Sequence, residues 1–396
     1  MLRISDRAGR LPLSAALSID TEQARMAEQG RSVIRLCVGE PCFKTPDAAL
    51  MEAKRAIEAG ETKYTHAAGS KDLRSAIADK LKEKYGLTYG LPEIAVTTGA
   101  KYAVFAALCA VTDPGDDVLL PAPYWTSYAE AIRLAGAQPV IIRTDLDSGW
   151  KLKPDMVRRA CGDRTRAIVM NNPNNPTGAV YSSAELKALA ETFREHDLCV
   201  IADEIYDSYV FTDESFTCMA ALDRDMKERT VLINGVSKAY AMTGWRIGYI
   251  AADKRLVSAV SALLSHTTGC PNTVAQAAAA AALRHADKDS RAMCRAFRSC
   301  RDILMRGLAG LEGIKYCEPE GAFYLTACLD GSLLEKYGDG TRFAEALLRE
   351  TGVALVPCAD YGEPAAVRIT FSVPEADIKE GVKRIAGFIR NGKRGA

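Results

Sequence analysis

The chain has 396 residues, 48% hydrophobic and 26% charged, with a formal net charge of +1. That length exceeds one average core and sets an expectation of roughly two or three domains. The near-neutral balance leaves no electrostatic footprint for nucleic acid or an anionic membrane surface, and no apolar run is long enough to span a bilayer.

Twelve cysteines are scattered from Cys37 to Cys358 without a CxxC pair. The opening stretch "MLRISDRAGRLPLSAALSID" lacks the continuous apolar core of a signal peptide. Together these features favour a reducing cytoplasm, where thiols serve as small buried hydrophobes rather than as disulfides. The histidines at 66, 196, 266 and 285 add no zinc spacing, so no metal is expected.

In chain order, the first clear pattern is "GSKDLRSAIADKL", which aligns Leu73, Ile77 and Leu81 on one helical face. Short apolar runs bounded by turn residues follow at 94–99, 117–123, 139–144, 166–172, 198–204, 230–238 and 247–252, and each reads as a strand. Helical patterns lie between most of them. One opens with a capping box, Ser182 followed three residues later by Glu185, and then places Leu186, Leu189, Ala190 and Phe193 on one face. The alanine run at 273–283 reads as a tightly packed helix. From about 285 the texture changes to a long basic helix, the short strands "EGAFYLTA", "GVALVP" and "AVRITFS", and a last amphipathic helix. Buried strands alternating with helices predict an α/β fold: a mainly parallel seven-stranded sheet flanked by helices. The predicted large domain spans 46–284, and 1–45 with 285–396 form a smaller α+β domain.

Open α/β sheets bind ligands beyond the carboxyl ends of their strands. Five predicted strand ends carry polar groups there. They deliver Gly99-Ala100-Lys101 at a helix start, Tyr124 and Trp125, Asn175 in the rigid loop "NNPNNPTGAVY", Asp203 with Tyr206, and Ser237-Lys238 with Arg246. Singly, each has a plain structural explanation: a solvated lysine, a core tryptophan, a helix-capping aspartate. No GxxxxGK[ST] occurs and no GxGxxG follows a strand, which disfavours a P-loop or a dinucleotide. As a set they suit a ligand with a phosphate for the helix-start amides and Arg246, a flat ring for Trp125 and a basic ring nitrogen for Asp203. It also needs a phenolic oxygen for Asn175 and Tyr206, and an aldehyde for the Lys238 amine. Pyridoxal 5′-phosphate meets every demand.

The segment "NGVSKAYAMTGWRIGY" resembles the lysine motif of the class I, fold-type I, pyridoxal-phosphate aminotransferases. "VGEPCFKTP", "KYTHAAGSKDLR", "TTGAKYAVFAAL", "PAPYWTSY", "NNPNNPTGAVY", "ADEIYDSYVF", "EGAFYLTA" and "VRITFS" are similar to its other motifs, in order, from about residue 10 to 390. The likeness is greatest to the bacterial aspartate aminotransferase branch, some of whose members accept prephenate or aromatic substrates. It implies a homodimeric transaminase acting on amino acids and 2-oxo acids, most simply from aspartate or another acidic donor to 2-oxoglutarate. By that resemblance Lys238 bonds the cofactor and shuttles a proton, Asp203 keeps the ring nitrogen protonated, and Tyr206 and Asn175 hold the phenolic oxygen. Gly99, Ala100, Lys101, Ser237 and Arg246 surround the phosphate, and Tyr64 reaches the phosphate of the other subunit. Arg368 grips the substrate α-carboxylate, with the Gly39 backbone, Trp125 and Asn175 beside it. Lys101 meets the distal carboxylate of a diacid.

Some alternatives stay open on the sequence. In "AVRITFS", Arg368 alternates as a solvent-facing residue does, and Lys101 also suits a plain charge beside the phosphate. The same fold and cofactor also serve lyases, decarboxylases and cyclase-type enzymes, and a pyridoxal-phosphate-binding regulatory module would need a DNA-binding domain that is not evident. Four positions depart from the family pattern: Gly235 for a serine, Cys42 for an acid after "GEP", His66 for a proline, and Ala16 for the threonine of prephenate-active relatives.

Overall fold

Seven strands form the main sheet of the computed structural model, which describes residues 2–392 apart from 10, 12–22, 24, 27 and 29. Ala16 lies outside the described residues. A short β1 (Ile34–Arg35) precedes this sheet in the chain. The sheet contains β2 (Ile94–Thr97), β3 (Asp117–Ala122), β4 (Gln138–Arg143), β5 (Thr165–Asn171), β6 (Cys199–Asp203), β7 (Thr230–Gly235) and β8 (Gly248–Ala251). Their spatial order is β2-β8-β7-β6-β5-β3-β4. Only β8 runs antiparallel to its neighbours. Each apolar run anticipated from the sequence supplies one of these strands.

The runs are continuously apolar because both faces of the sheet are covered. Successive strand residues point to opposite faces. Ile201 of β6 joins the cluster containing Ala103, Val104 and Ala107. Val200 and Ala202 join Leu186, Leu189 and Phe193 on the other side. The helix Ser183–Glu195 starts where the capping box places it, with Ser182 and Glu185 bonding each other's backbone amides. Ser70 likewise caps Lys71–Tyr85 by accepting from the Leu73 amide at 3.2 Å. The alanine-rich helix Thr273–His285 is buried against Ala49 and Ala53 of Asp47–Glu58, where small side chains let the two helices approach closely.

A second sheet contains β9 (Ile314–Lys315), β10 (Tyr324–Leu329), β12 (Val356–Pro357) and β13 (Ala366–Thr370), ordered β12-β13-β10-β9 and antiparallel throughout. β1 pairs in parallel with β11 (Val353–Ala354), which brings an early segment against the C-terminal part of the chain. The long helices Asp287–Leu308 and Glu375–Gly392 pack together over this sheet. Every residue of β13 is buried. The alternation around Arg368 is therefore not that of a solvent-facing strand: its guanidinium, 5% exposed, turns into the gap between the two sheets.

Candidate active site

A cleft of about 610 Å³ opens where the carboxyl ends of β5, β6 and β7 face β12 and β13. Lys238 follows β7 by three residues and lies largely enclosed in this cleft. Its Nζ donates to the Gly39 carbonyl at 2.5 Å and stands 5.9 Å from the ring centres of Tyr206 and Phe323. Burial, then the nearby Arg368 and Arg246, pull its pKa down to about 8, against the opposing charges of Glu40 and Asp203. An amine so placed loses its proton near neutrality and becomes a nucleophile or a base.

Asp203 ends β6 and is 3% exposed. Its Oδ2 accepts from the Tyr128 hydroxyl at 2.7 Å and its Oδ1 from the Ile205 amide at 3.2 Å. Burial pushes this carboxyl up to about 6, while Tyr128, Ile205 and Lys238 hold it back.

The asparagine-proline loop is a set of side-chain clamps. Asn171, the last residue of β5, donates from Nδ2 to the Asp203 carbonyl at 3.0 Å and accepts from the Asn175 amide at 2.8 Å. Asn172 accepts from the Tyr181 amide at 3.1 Å, and Asn174 from the Thr177 amide at 3.1 Å. The prolines at 173 and 176 follow cis peptide bonds. The result is a buried Asn175 amide presented to the cleft, where its Oδ1 accepts from Arg368 Nη1 at 3.1 Å.

Arg368 has further partners. Nη1 also donates to the Tyr361 hydroxyl at 2.8 Å, Nη2 donates to the Cys37 carbonyl at 3.0 Å, and the guanidinium lies 4.4 Å from the Tyr324 ring centre. Its buried Nε meets no partner among the described residues. The Tyr206 and Tyr324 hydroxyls share a hydrogen bond of 3.0 Å.

At the other end of the cleft, β2 leads through Gly99 into the helix Ala100–Val111. Gly99 has φ +82°, and a Cβ there would stand 2.4 Å from Arg246 Nη2. The glycine thus lets a guanidinium lie directly against a helix N-terminus, a ready-made anion cradle. Lys101 Nζ lies over the Trp125 ring at 4.9 Å, and burial, then Arg246, lowers its pKa. Ala100 and Ser237 also line the cleft. Tyr64, 97% exposed, does not line the cleft.

The departures have local explanations. A Cβ on Gly235 would lie 2.7 Å from the Ile247 carbonyl, so the β7–β8 approach favours glycine. The His66 Nδ1 accepts from the Ala68 amide at 3.1 Å, which shapes its own loop. Cys42 is exposed as a whole, its amide donates to the Ser372 carbonyl at 3.2 Å, and partial burial among its neighbours raises the thiol pKa. Tyr128, Tyr324 and Tyr361 touch the key side chains, and no local pattern in the sequence singles them out. The one available signal was that Tyr128 follows Trp125 by three residues, one helical turn. Among the described residues no group of three or more His, Cys, Asp or Glu is arranged to hold a metal, and no helix is long and apolar enough to cross a membrane.

The pattern of the family described as aminotransferase class I and II matches residues 31–385. The chain is 38% identical over 389 residues to the aspartate aminotransferase of Rhizobium meliloti strain 1021, covering 96% of this chain and 95% of that one. It is 40% identical over 390 residues to the aspartate/prephenate aminotransferase of Thermus thermophilus, covering 98% of each. Its fold superposes on the crystal structure of the Rhizobium meliloti aspartate aminotransferase with a TM-score of 0.93 at 37% identity, over 98% of this chain and 99% of that one.

Proposed function

The chain belongs to the class I and II aminotransferases, and on that premise we propose that it moves the amino group of aspartate, or another acidic donor, to a 2-oxo acid such as 2-oxoglutarate, with pyridoxal 5′-phosphate as cofactor. The observation that carries this reading is the convergence of Lys238, Asp203, Asn175 and Arg368 on one cleft, delivered by β7, β6, β5 and β13.

The residues fit the cofactor. The space beside Gly99 and Arg246 suits a phosphate, the Trp125 ring offers a flat platform, and Asp203 lies deep enough to meet a ring nitrogen. Asn175 and Tyr206 supply donors for a phenolic oxygen. When bound, pyridoxal 5′-phosphate supplies an aldehyde that amines attack and a ring that draws electrons from the substrate α-carbon.

The protein's own side chains do the rest. Lys238 Nζ, with its pKa drawn to about 8, is positioned to remove and return a proton at the substrate α-carbon. Asp203 holds a proton at the ring nitrogen. Arg368 offers its orphaned Nε and its fixed fork to the α-carboxylate, so the donor is held by one end. Lys101, beside Trp125, is the second cation for the distal carboxylate of an acidic substrate. Glu40 is tied to Thr243 Oγ1 at 2.7 Å, which fixes the Gly39 backbone next to Lys238.

The same reading makes the enzyme a homodimer in the cytoplasm. Tyr64, Met51 and Ile57 are large apolar side chains left exposed at 97%, 70% and 59%, the kind of surface a second copy covers. Tyr64 then serves the partner's phosphate. All twelve cysteines are free thiols, in keeping with a reducing compartment. The test is transfer of ¹⁵N from labelled L-aspartate to 2-oxoglutarate. Labelled glutamate supports the reading, and its absence together with ammonia release favours a lyase.

A further inference from the structure

Tyr128 sits in the first turn of the helix Ser127–Leu134. It packs edge-on against Trp125, with ring centroids 5.3 Å apart and planes at 85°. The tyrosine ring is 2% exposed, and its hydroxyl donates to Asp203 Oδ2 at 2.7 Å. The other carboxylate oxygen accepts only a longer bond, from the Ile205 amide at 3.2 Å. The titratable groups facing Asp203 are Tyr128 from this helix, Lys238 from the segment after β7 and Tyr206 from the segment after β6. None of the steps assigned above uses the Tyr128 hydroxyl.

We propose that Tyr128 is a positioning residue whose hydroxyl keeps Asp203 ionised and aimed into the cleft, so that the carboxylate pairs with a protonated ring nitrogen instead of taking that proton itself. This rests on the pyridoxal-phosphate reading. A carboxylate and a ring nitrogen that share one proton compete for it. Donors to the carboxylate stabilise its charged form and leave the proton on the ring. Burial works the other way, raising the carboxyl to about 6, and the Tyr128 hydrogen bond is the largest influence opposing it. A purely structural tyrosine here would need only an acceptor for its buried hydroxyl. Phenylalanine would then replace it with little effect on the chemistry of Asp203.

The experiment measures pyridoxal 5′-phosphate affinity of the cofactor-stripped protein across pH 5–9, by equilibrium dialysis, for the wild type and Tyr128→Phe. In the wild type, affinity falls as pH drops through about 6, when Asp203 becomes neutral. In Tyr128→Phe the fall moves up by about one pH unit, so affinity drops about twofold at pH 7 and about tenfold at pH 5. Asp203→Asn flattens this acid limb. Site-specific 3-fluorotyrosine at 128, a stronger donor with the same shape, moves the limb down, and it serves as the test should Tyr128→Phe fold poorly. An unchanged limb in both Tyr128 variants overturns the proposal. Absence of binding by the wild type overturns the cofactor reading instead.

Discussion

Arg368 and Asn175, 193 residues apart in sequence, meet across the cleft through one hydrogen bond of 3.1 Å. One comes from the antiparallel second sheet and the other from the loop closing β5 of the main sheet. The bond places the group assigned to the substrate carboxylate beside one assigned to the cofactor. Arg368→Lys keeps the charge but loses the fork. It leaves at least one of Asn175 Oδ1, Tyr361 Oη and the Cys37 carbonyl without its donor. Hydrogen bonds to charged groups are worth about 1.5–3 kcal/mol, so kcat/KM for every amino-acid donor falls about 10–100-fold while cofactor affinity changes little. Steady-state kinetics with a matched dialysis measurement checks both halves.

Lys238→Met removes the amine assigned to proton transfer. Activity falls by about 10²–10⁴-fold or more. The stability effect runs the opposite way. The Lys238 folded-state pKa of about 8 lies below the ordinary lysine value, so the charged form costs stability at pH below 8. That cost fades as pH rises from about 8 to about 10.4. The cofactor-free variant therefore melts at or above the wild type at pH 7, and the difference shrinks by pH 10. Calorimetry at the two pH values reads it.

Gly99→Ala places a methyl 2.4 Å from Arg246 Nη2, on a backbone with φ +82°. The guanidinium has to leave the helix start, and a residue with a Cβ is strained by about 1–3 kcal/mol in this backbone conformation. Cofactor affinity falls about tenfold or more as one charge-assisted contact is lost. Free phosphate, which competes for the same cradle, weakens in parallel. Dialysis with and without phosphate distinguishes this from general destabilisation.

Lys101→Gln separates its two readings. As the second cation for a diacid it raises KM for aspartate about 10-fold or more and leaves neutral and aromatic donors unchanged. As a charge serving the phosphate it weakens cofactor binding and lowers activity on all donors alike. A panel of amino-acid donors gives the answer.

The main sheet was legible because its strands are covered on both faces, which makes them uninterrupted apolar runs such as "RAIVM", and because Ser70 and Ser182 mark helix starts with real capping bonds. Lys238, Asp203 and Asn175 were legible because each sits just past such a run, where an α/β sheet presents its ligands. Arg368 was not legible from its own strand: alternation in β13 looks the same whether the polar residue faces water or a buried cleft, and the tertiary fold made it the latter. Tyr128, Tyr324 and Tyr361 act through hydroxyl hydrogen bonds to residues 7 to 118 positions away. No local period signals such pairs. The glycine at 235 was legible only as a departure from the family pattern; the Ile247 carbonyl, 2.7 Å from where a Cβ would stand, adds a packing reason that lies outside its own strand.

The most direct test of the central claim is a half-reaction. The cofactor-loaded protein, without any 2-oxo acid, is titrated with L-aspartate while the cofactor absorbance and released oxaloacetate are followed. One oxaloacetate per chain is expected, with a matching stoichiometric change in the cofactor spectrum and restoration of that spectrum by 2-oxoglutarate. Ammonia or carbon dioxide released in place of oxaloacetate, or a spectrum that no amino acid alters, would contradict it.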